Sequence, residues 1–361
     1  MWTRTQALEF LREEARQLVT VQASDRPWQL PFAAALATGL PLLVGAWFGH
    51  LAYGLVSSLG GLCLLYLPRT PLHHRMVVLM AAAFGMAACY ALGLMSHLIP
   101  ALMVPVLVFI TLLVTMVCRF YRLGPPGNLF FIMAASIGAF SPVDVVQIPL
   151  MVGLLVMGSL LAALIGFFYS LYVLRIRDPL PVTPLPPATF DGVVVESVVI
   201  ALAVGASLGL AQLFQMEKAY WVPVSCLAVI QGASLRAVWS RQLHRILGTA
   251  IGLMVALAVL SLPLTPWTVP FIMMALTFVI ETAVVRHYTF AAAFITPMAI
   301  LLAEAATLGQ TDPMELIQAR FLDTCLGSVI GLAGGYCLHH PRLRQGIVLR
   351  LRRLVPQRFQ G

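Results

Sequence analysis

Twelve runs of about 17 to 22 mostly apolar residues, separated by short loops rich in glycine, proline and arginine, leave this chain few ways to fold. Each run can cross a hydrocarbon core roughly 30 Å thick as an α-helix and is far too long for a strand of a membrane barrel. With 60% hydrophobic and only 10% charged residues, no soluble domain could bury the apolar surface. The expected class is all-α, a polytopic helical membrane protein whose first partner is the lipid bilayer. Hydropathy, punctuated by Gly, Pro and charge, places spans at 30–49, 51–67, 75–95, 100–118, 123–140 and 148–173. A second set falls at 193–214, 219–235, 243–262, 267–285, 287–304 and 315–338. Several are short, the fifth above all, and read as broken or partly inserted helices, which are tolerated where neighbours cover the backbone or a cavity runs beside it.

The two sets superimpose. At a shift of 167 residues, Tyr53, Tyr121 and Tyr169 fall on Tyr220, Tyr288 and Tyr336. Arg119 falls on Arg286, Arg175 on Arg342, Ser58 on Ser225 and Gly85 on Gly252. Six spans return each half to its starting side, so the repeats are expected to be parallel, about an axis along the membrane normal. The chain then divides into an amphipathic N-terminal segment (1–29), a first repeat (30–177), a Pro-rich linker (178–192), a second repeat (193–340) and a basic tail (341–361). The run Leu8–Leu18 and the tail from Arg342 to Leu354 read as amphipathic helices lying on the membrane surface. The first apolar run carries no early cleavage site and is expected to stay attached as the first span.

Arginine placement orients the chain, because cytoplasmic loops hold the excess of Lys and Arg. The inner segments receive Arg4, Arg12, Arg16 and Arg26, then Arg69 and Arg75, Arg119 and Arg122, Arg175 and Arg177, Arg236 and Arg241, Arg286, and the tail. The opposite loops hold Asp144, Glu217, Lys218 and Asp312 and no arginine. Both termini are expected in the cytoplasm, and the net charge of +8 reflects topology and anionic headgroups, with no nucleic-acid partner required.

Enzymatic signatures are scarce. The only lysine is Lys218, so no phosphate-binding glycine loop ending in lysine exists. The six cysteines have no paired spacing, and the histidine pairs His73–His74 and His339–His340 lack a carboxylate or cysteine at ligand spacing, so no metal or other cofactor is implied. No nucleophile, base and orienting group can be assembled, and the expectation is a protein that is not an enzyme. What stands out is charge at membrane depth, which costs on the order of 3 kcal/mol per group on insertion scales. Arg320 and Asp323, three apart in the last span, can form an intrahelical ion pair. They are either a pair neutralised for packing, or a substrate carboxylate site in which Asp323 orients or exchanges a proton. Glu281, about five residues or roughly 7 Å from Arg286, is either that arginine's partner or part of a substrate or proton pathway. Tyr220 and Trp221 fit an outer aromatic belt. Arg236, Arg241, His244 and Arg245, with Arg286, form a basic cluster at the inner face, an orientation signal that can also concentrate organic anions. Gly248 with Gly252, and Gly327 with Gly331, allow close helix approach.

The run Tyr220–Gly252, Phe294–Leu302 and Ala319–Gly331 together resemble the fusaric acid resistance and aromatic acid exporter family. In that family a Tyr-Trp opens a short span ending in Gln, here Tyr220, Trp221 and Gln231. An Arg-rich turn leads into a Leu-Gly-Thr helix, here Arg241, Arg245, Leu247, Gly248 and Thr249. An Arg-x-x-Asp-Thr-x-x-Gly motif sits in the last span, here Arg320, Asp323, Thr324 and Gly327. The resemblance covers 193–340; the first half keeps Tyr53 and Arg75, has Leu64 in place of the Gln, and lacks the Arg and Asp. It implies efflux of aromatic carboxylates or related weak acids across a bacterial inner membrane, in some members with a periplasmic adaptor subunit, and the leading expectation is secondary active export of a small amphipathic organic anion coupled to protons. The expected pathway is Arg320, Asp323, Glu281, Tyr220 and Gln231. Plant malate channels are similar in their membrane part, so the alternative is a passive organic-anion channel, where assembly into a homo-oligomer turns single arginines into rings.

Overall fold

A computed structural model describes residues 23–185, 189–232, 234–304 and 312–354. Every regular element among them is helical. The first half contains α1 (Gln29–Trp47), α2 (Leu51–Gly61, prolonged by a 3-10 turn to Tyr66), α3 (Leu72–His97), α4 (Met103–Phe120), α5 (Leu129–Ala139) and α6 (Ile148–Val173). The second contains α7 (Glu196–Leu213, entered through a π turn at Asp191–Val195), α8 (Trp221–Ile230), α9 (Leu235–Leu260), α10 (Thr268–Ala283), α11 (Tyr288–Glu304) and α12 (Pro313–His339). A further helix, α13, runs Pro341–Leu354. The N-terminal run Leu8–Leu18 and residues 355–361 lie outside the described residues.

One helix stands at each expected span, but the boundaries move where backbone chemistry overrides hydropathy. Among the described residues, seven helices are long and apolar enough to cross a membrane; α2, α5, α8, α10 and α11 are shorter. The fifth span was expected from residue 123, yet α5 starts at Leu129, because Gly124-Pro125-Pro126-Gly127 cannot continue a helix and Gly127 sits at φ +62°. Conversely α9 starts eight residues before the expected 243, because Ser234 caps it by accepting from the Ala237 N–H (3.2 Å). The presumed linker likewise gives way to helix at Phe190, before its expected end.

Side-chain sorting marks a multi-span membrane protein. Along α6 the small and polar residues Gly158, Ser159, Ala162, Gly166 and Ser170 face inward, while Met157, Leu160, Leu164 and Phe168 are exposed. Water would penalise that arrangement; lipid favours it, since small residues bring helix backbones together and large apolar ones face hydrocarbon. The six cysteines are all free thiols within this packing.

The helix pairs of the first half recur in the second. Contacts α1–α2, α2–α6, α3–α5, α3–α6 and α4–α5 are matched by α7–α8, α8–α12, α9–α11, α9–α12 and α10–α11. Between the halves α4 packs on α7 and α5 on α8, and correspondingly α10 packs on α1 and α11 on α2. Each of these two interfaces holds an ion pair. Arg119 on α4 meets Glu196 at the start of α7. At the other interface Arg26, just before α1, reaches Glu281 on α10 (3.0 Å), and its Nη1 also donates to the Glu281 carbonyl (3.0 Å). Glu196 additionally takes Arg344 of α13 (3.4 Å), while Arg352 reaches Asp191 (3.1 Å), so the amphipathic tail helix is tied to the entry of α7.

Candidate functional site

Helix α8 is the innermost element. All its residues but Ala228 are buried, with α12, α7, α5 and α9 around it, and ten residues give it a length of only about 15 Å. Gly327 and Gly331 bring α12 against its backbone; a Cβ at Gly331 would stand 2.6 Å from the Cys226 carbonyl oxygen. Close contact between these two backbones places the charged residues of α12 beside the first turn of α8.

There Arg320 (3% exposed) lays its guanidinium over the Trp221 ring, 4.0 Å from the centroid. Asp323 is fully buried. The expected intrahelical ion pair between them is not made: Asp323 Oδ1 and Oδ2 and Arg320 Nε and Nη1 all lack hydrogen-bond partners. The arginine instead follows the indole face, an alternative partner that spacing along one helix does not reveal. Tyr220 and Trp221, expected in an outer aromatic belt, are buried as well, and Tyr220 packs on Phe140 of the first half (5.9 Å). A crevice of only about 10 Å³, bordered by Lys218, Tyr220, Trp221, Ile300, Leu316 and Arg320, reaches this cluster.

A second arginine approaches from the other side. Arg245 was expected in an exposed basic cluster, but on α9 it falls in the buried stripe Val238, Gln242, Arg245, Thr249, Gly252 and Ala256. Its Nη2 points to Ser225 Oγ at 3.5 Å, its Nε has no partner, and Arg320 lies within its electrostatic reach. The heptad spacing of that stripe was the sequence signal for its burial. Arg236, Arg241 and Arg286 are exposed, and His244 is half-buried beside Tyr288. Buried here are two arginines and one carboxylate, so the cluster carries an excess cation and a flat aromatic face.

The other expected pathway residues lie elsewhere. Glu281 does not pair with Arg286; it is held by Arg26, because the segment before α1 folds back against the end of α10. Gln231, at the far end of α8 from Arg320, donates through Nε2 to Asn128 Oδ1, and Asn128 Nδ2 donates to Thr115 Oγ1 (2.6 Å). This chain of amides forms a wall of a cavity of about 450 Å³ between α4–α5 and α7–α8, at the arginine-rich end of the molecule. Sequence reading missed Asn128; a polar residue directly after Pro-Pro-Gly at the head of an apolar run was the available signal.

Residues 202–334 match the family model described as Fusaric acid resistance protein-like, and the matched stretch contains Trp221, Gln231, Arg245, Arg320 and Asp323. The second half of this chain is similar to the fusaric acid resistance protein-like family. The matched stretch thus includes both Arg245 and Arg320, which are buried, on helices that pack against α8. The Uncharacterized membrane protein YvaC of Bacillus subtilis (strain 168) is 29% identical over 153 residues, 42% of this chain and 24% of YvaC. The chain therefore spans about a quarter of that curated relative's length. No solved structure matches.

Proposed function

We propose that this protein is a secondary transporter that exports small organic anions, aromatic carboxylates foremost, in exchange for protons across a bacterial cell membrane. The supporting observation is the cluster of Arg320, Arg245 and Asp323, buried with polar atoms unpartnered. An uncompensated charge at this depth costs several kcal/mol and is retained where function requires it. A carboxylate placed between the guanidiniums would satisfy them, and an aromatic ring would lie beside the Arg320–Trp221 stack. Asp323 would take up and release the coupled proton. The helix pairs recurring among α1–α12 favour two parallel six-helix repeats, and the arginine bias favours cytoplasmic termini.

Proteoliposomes loaded with labelled 4-hydroxybenzoate test the reading. An imposed pH gradient should drive accumulation in the wild type, with at least a tenfold loss in Arg320→Ala. Asp323→Asn should keep exchange of anion for anion and lose the response to the gradient. Because Arg320 leaves polar atoms unpaired, the desolvation relieved by its removal should largely offset the lost Trp221 contact and move the thermal midpoint only a few degrees; a fall of many degrees would favour a packing role instead. Flux that merely equilibrates and carries current would make the protein an organic-anion channel.

A further inference from the structure

The cavity at the arginine-rich end belongs to one of two corresponding interfaces between the halves, and the two are finished differently. Where α10 meets α1, the Arg26–Glu281 ion pair and a Thr38–Thr277 hydroxyl contact (3.2 Å) close the interface. Where α4 and α5 meet α7 and α8, about 450 Å³ stays open, within the range of small-molecule sites. Its wall is fixed in advance. Asn128 is 4% exposed and held on both sides by Gln231 and Thr115, while the Tyr66 hydroxyl donates to the Gly127 carbonyl (2.8 Å) and pins the loop that carries Asn128. Of the two arginines that line it, Arg119 is engaged by Glu196. Arg122, at φ +48°, makes no side-chain hydrogen bond or ion pair among the described residues. Phe120, Leu123 and Ile200 supply apolar surface to the same cavity.

We infer that this cavity is a second binding site for a small organic carboxylate that also carries a hydrogen-bonding group. Arg122 takes the carboxylate, the apolar body lies along Phe120 and Leu123, and the free amide oxygen of Gln231 accepts from a hydroxyl. The site uses none of the residues of the Arg320 cluster and rests on the proposed function only for its ligand class. Gln231 ends α8 and Trp221 begins it, so the two sites stand roughly 15 Å apart along one helix, with Ser225 and Arg245 between them. The cavity thus stands at the opposite end of α8 from the Arg320 cluster.

The test is equilibrium binding of benzoate and 4-hydroxybenzoate to the full chain in nanodiscs of zwitterionic lipid. Wild type should prefer the hydroxylated acid. Arg122→Gln should weaken both acids about tenfold without changing the thermal midpoint, since its side chain has no hydrogen bond or ion pair among the described residues to lose. Gln231→Leu should abolish the preference for the hydroxyl while Arg320→Gln keeps it. The inference fails if Arg122→Gln binds as wild type, if the preference survives Gln231→Leu, or if no acid binds. It also fails if phosphatidylglycerol in the disc displaces the acid, which would make this a lipid-headgroup site. Binding intact without flux in proteoliposomes would remove the export reading and leave the cavity site standing. Gradient-driven flux indifferent to Arg122 would do the reverse.

Discussion

Arg320 and Trp221 show how a residue's partner decides its meaning. An arginine three positions before an aspartate on one helix suggests a neutral pair, but the guanidinium rests on an indole and the carboxylate stays alone. That arrangement is worth on the order of 1 to 2 kcal/mol when desolvated and would present an aromatic ligand with one ring and one cation together. Replacing Trp221 with Leu should therefore cut the preference for benzoate over an aliphatic acid of similar size about threefold to tenfold, measured as competition against labelled 4-hydroxybenzoate. Arg320→Lys should fail to restore transport, because an ammonium neither stacks on the indole nor forks around a carboxylate.

Among the elements, α8 is short and enclosed because α12 comes close enough to cover it. Gly331→Ala should cost about 1 to 3 kcal/mol, seen as a lower thermal midpoint in detergent, because the new methyl meets the Cys226 carbonyl and two backbones must separate. Gly153→Ala on α6, where no atom lies within 4 Å of an added Cβ, should be neutral or slightly stabilising. Among the described residues, the order of the helices was legible in the sequence because apolar length and glycine-proline punctuation act locally. Helix ends were less so: Ser234 extended α9 and Gly124–Gly127 shortened α5, each through one hydrogen bond or one turn that a hydropathy window averages away. Of the candidate site, Arg320 and Asp323 were legible as charges out of place. Glu281 and Gln231 were assigned to the same pathway because nothing in a linear sequence says that Arg26 folds back onto α10 or that Asn128 waits opposite α8.

At the scale of the whole molecule, the two ion pairs between the halves share a bias. The first half contributes both arginines, Arg26 and Arg119, and the second both acids, Glu196 and Glu281. Splitting the chain in its linker, into 1–185 and 186–361, should yield fragments that co-purify in equal amounts. Arg119→Glu should lower that recovery more than tenfold by setting like charges face to face, and adding Glu196→Arg should restore most of it. A newly duplicated segment begins life as sticky toward its own copy as toward its sibling. Here, self-pairing would set Arg26 against Arg119, or Glu196 against Glu281, so each half repels its own likeness and neither can stand in for the other. On the proposed two-repeat reading, that sorting of charge makes the duplication irreversible: the ancestral homodimer is no longer reachable by deleting half of the gene.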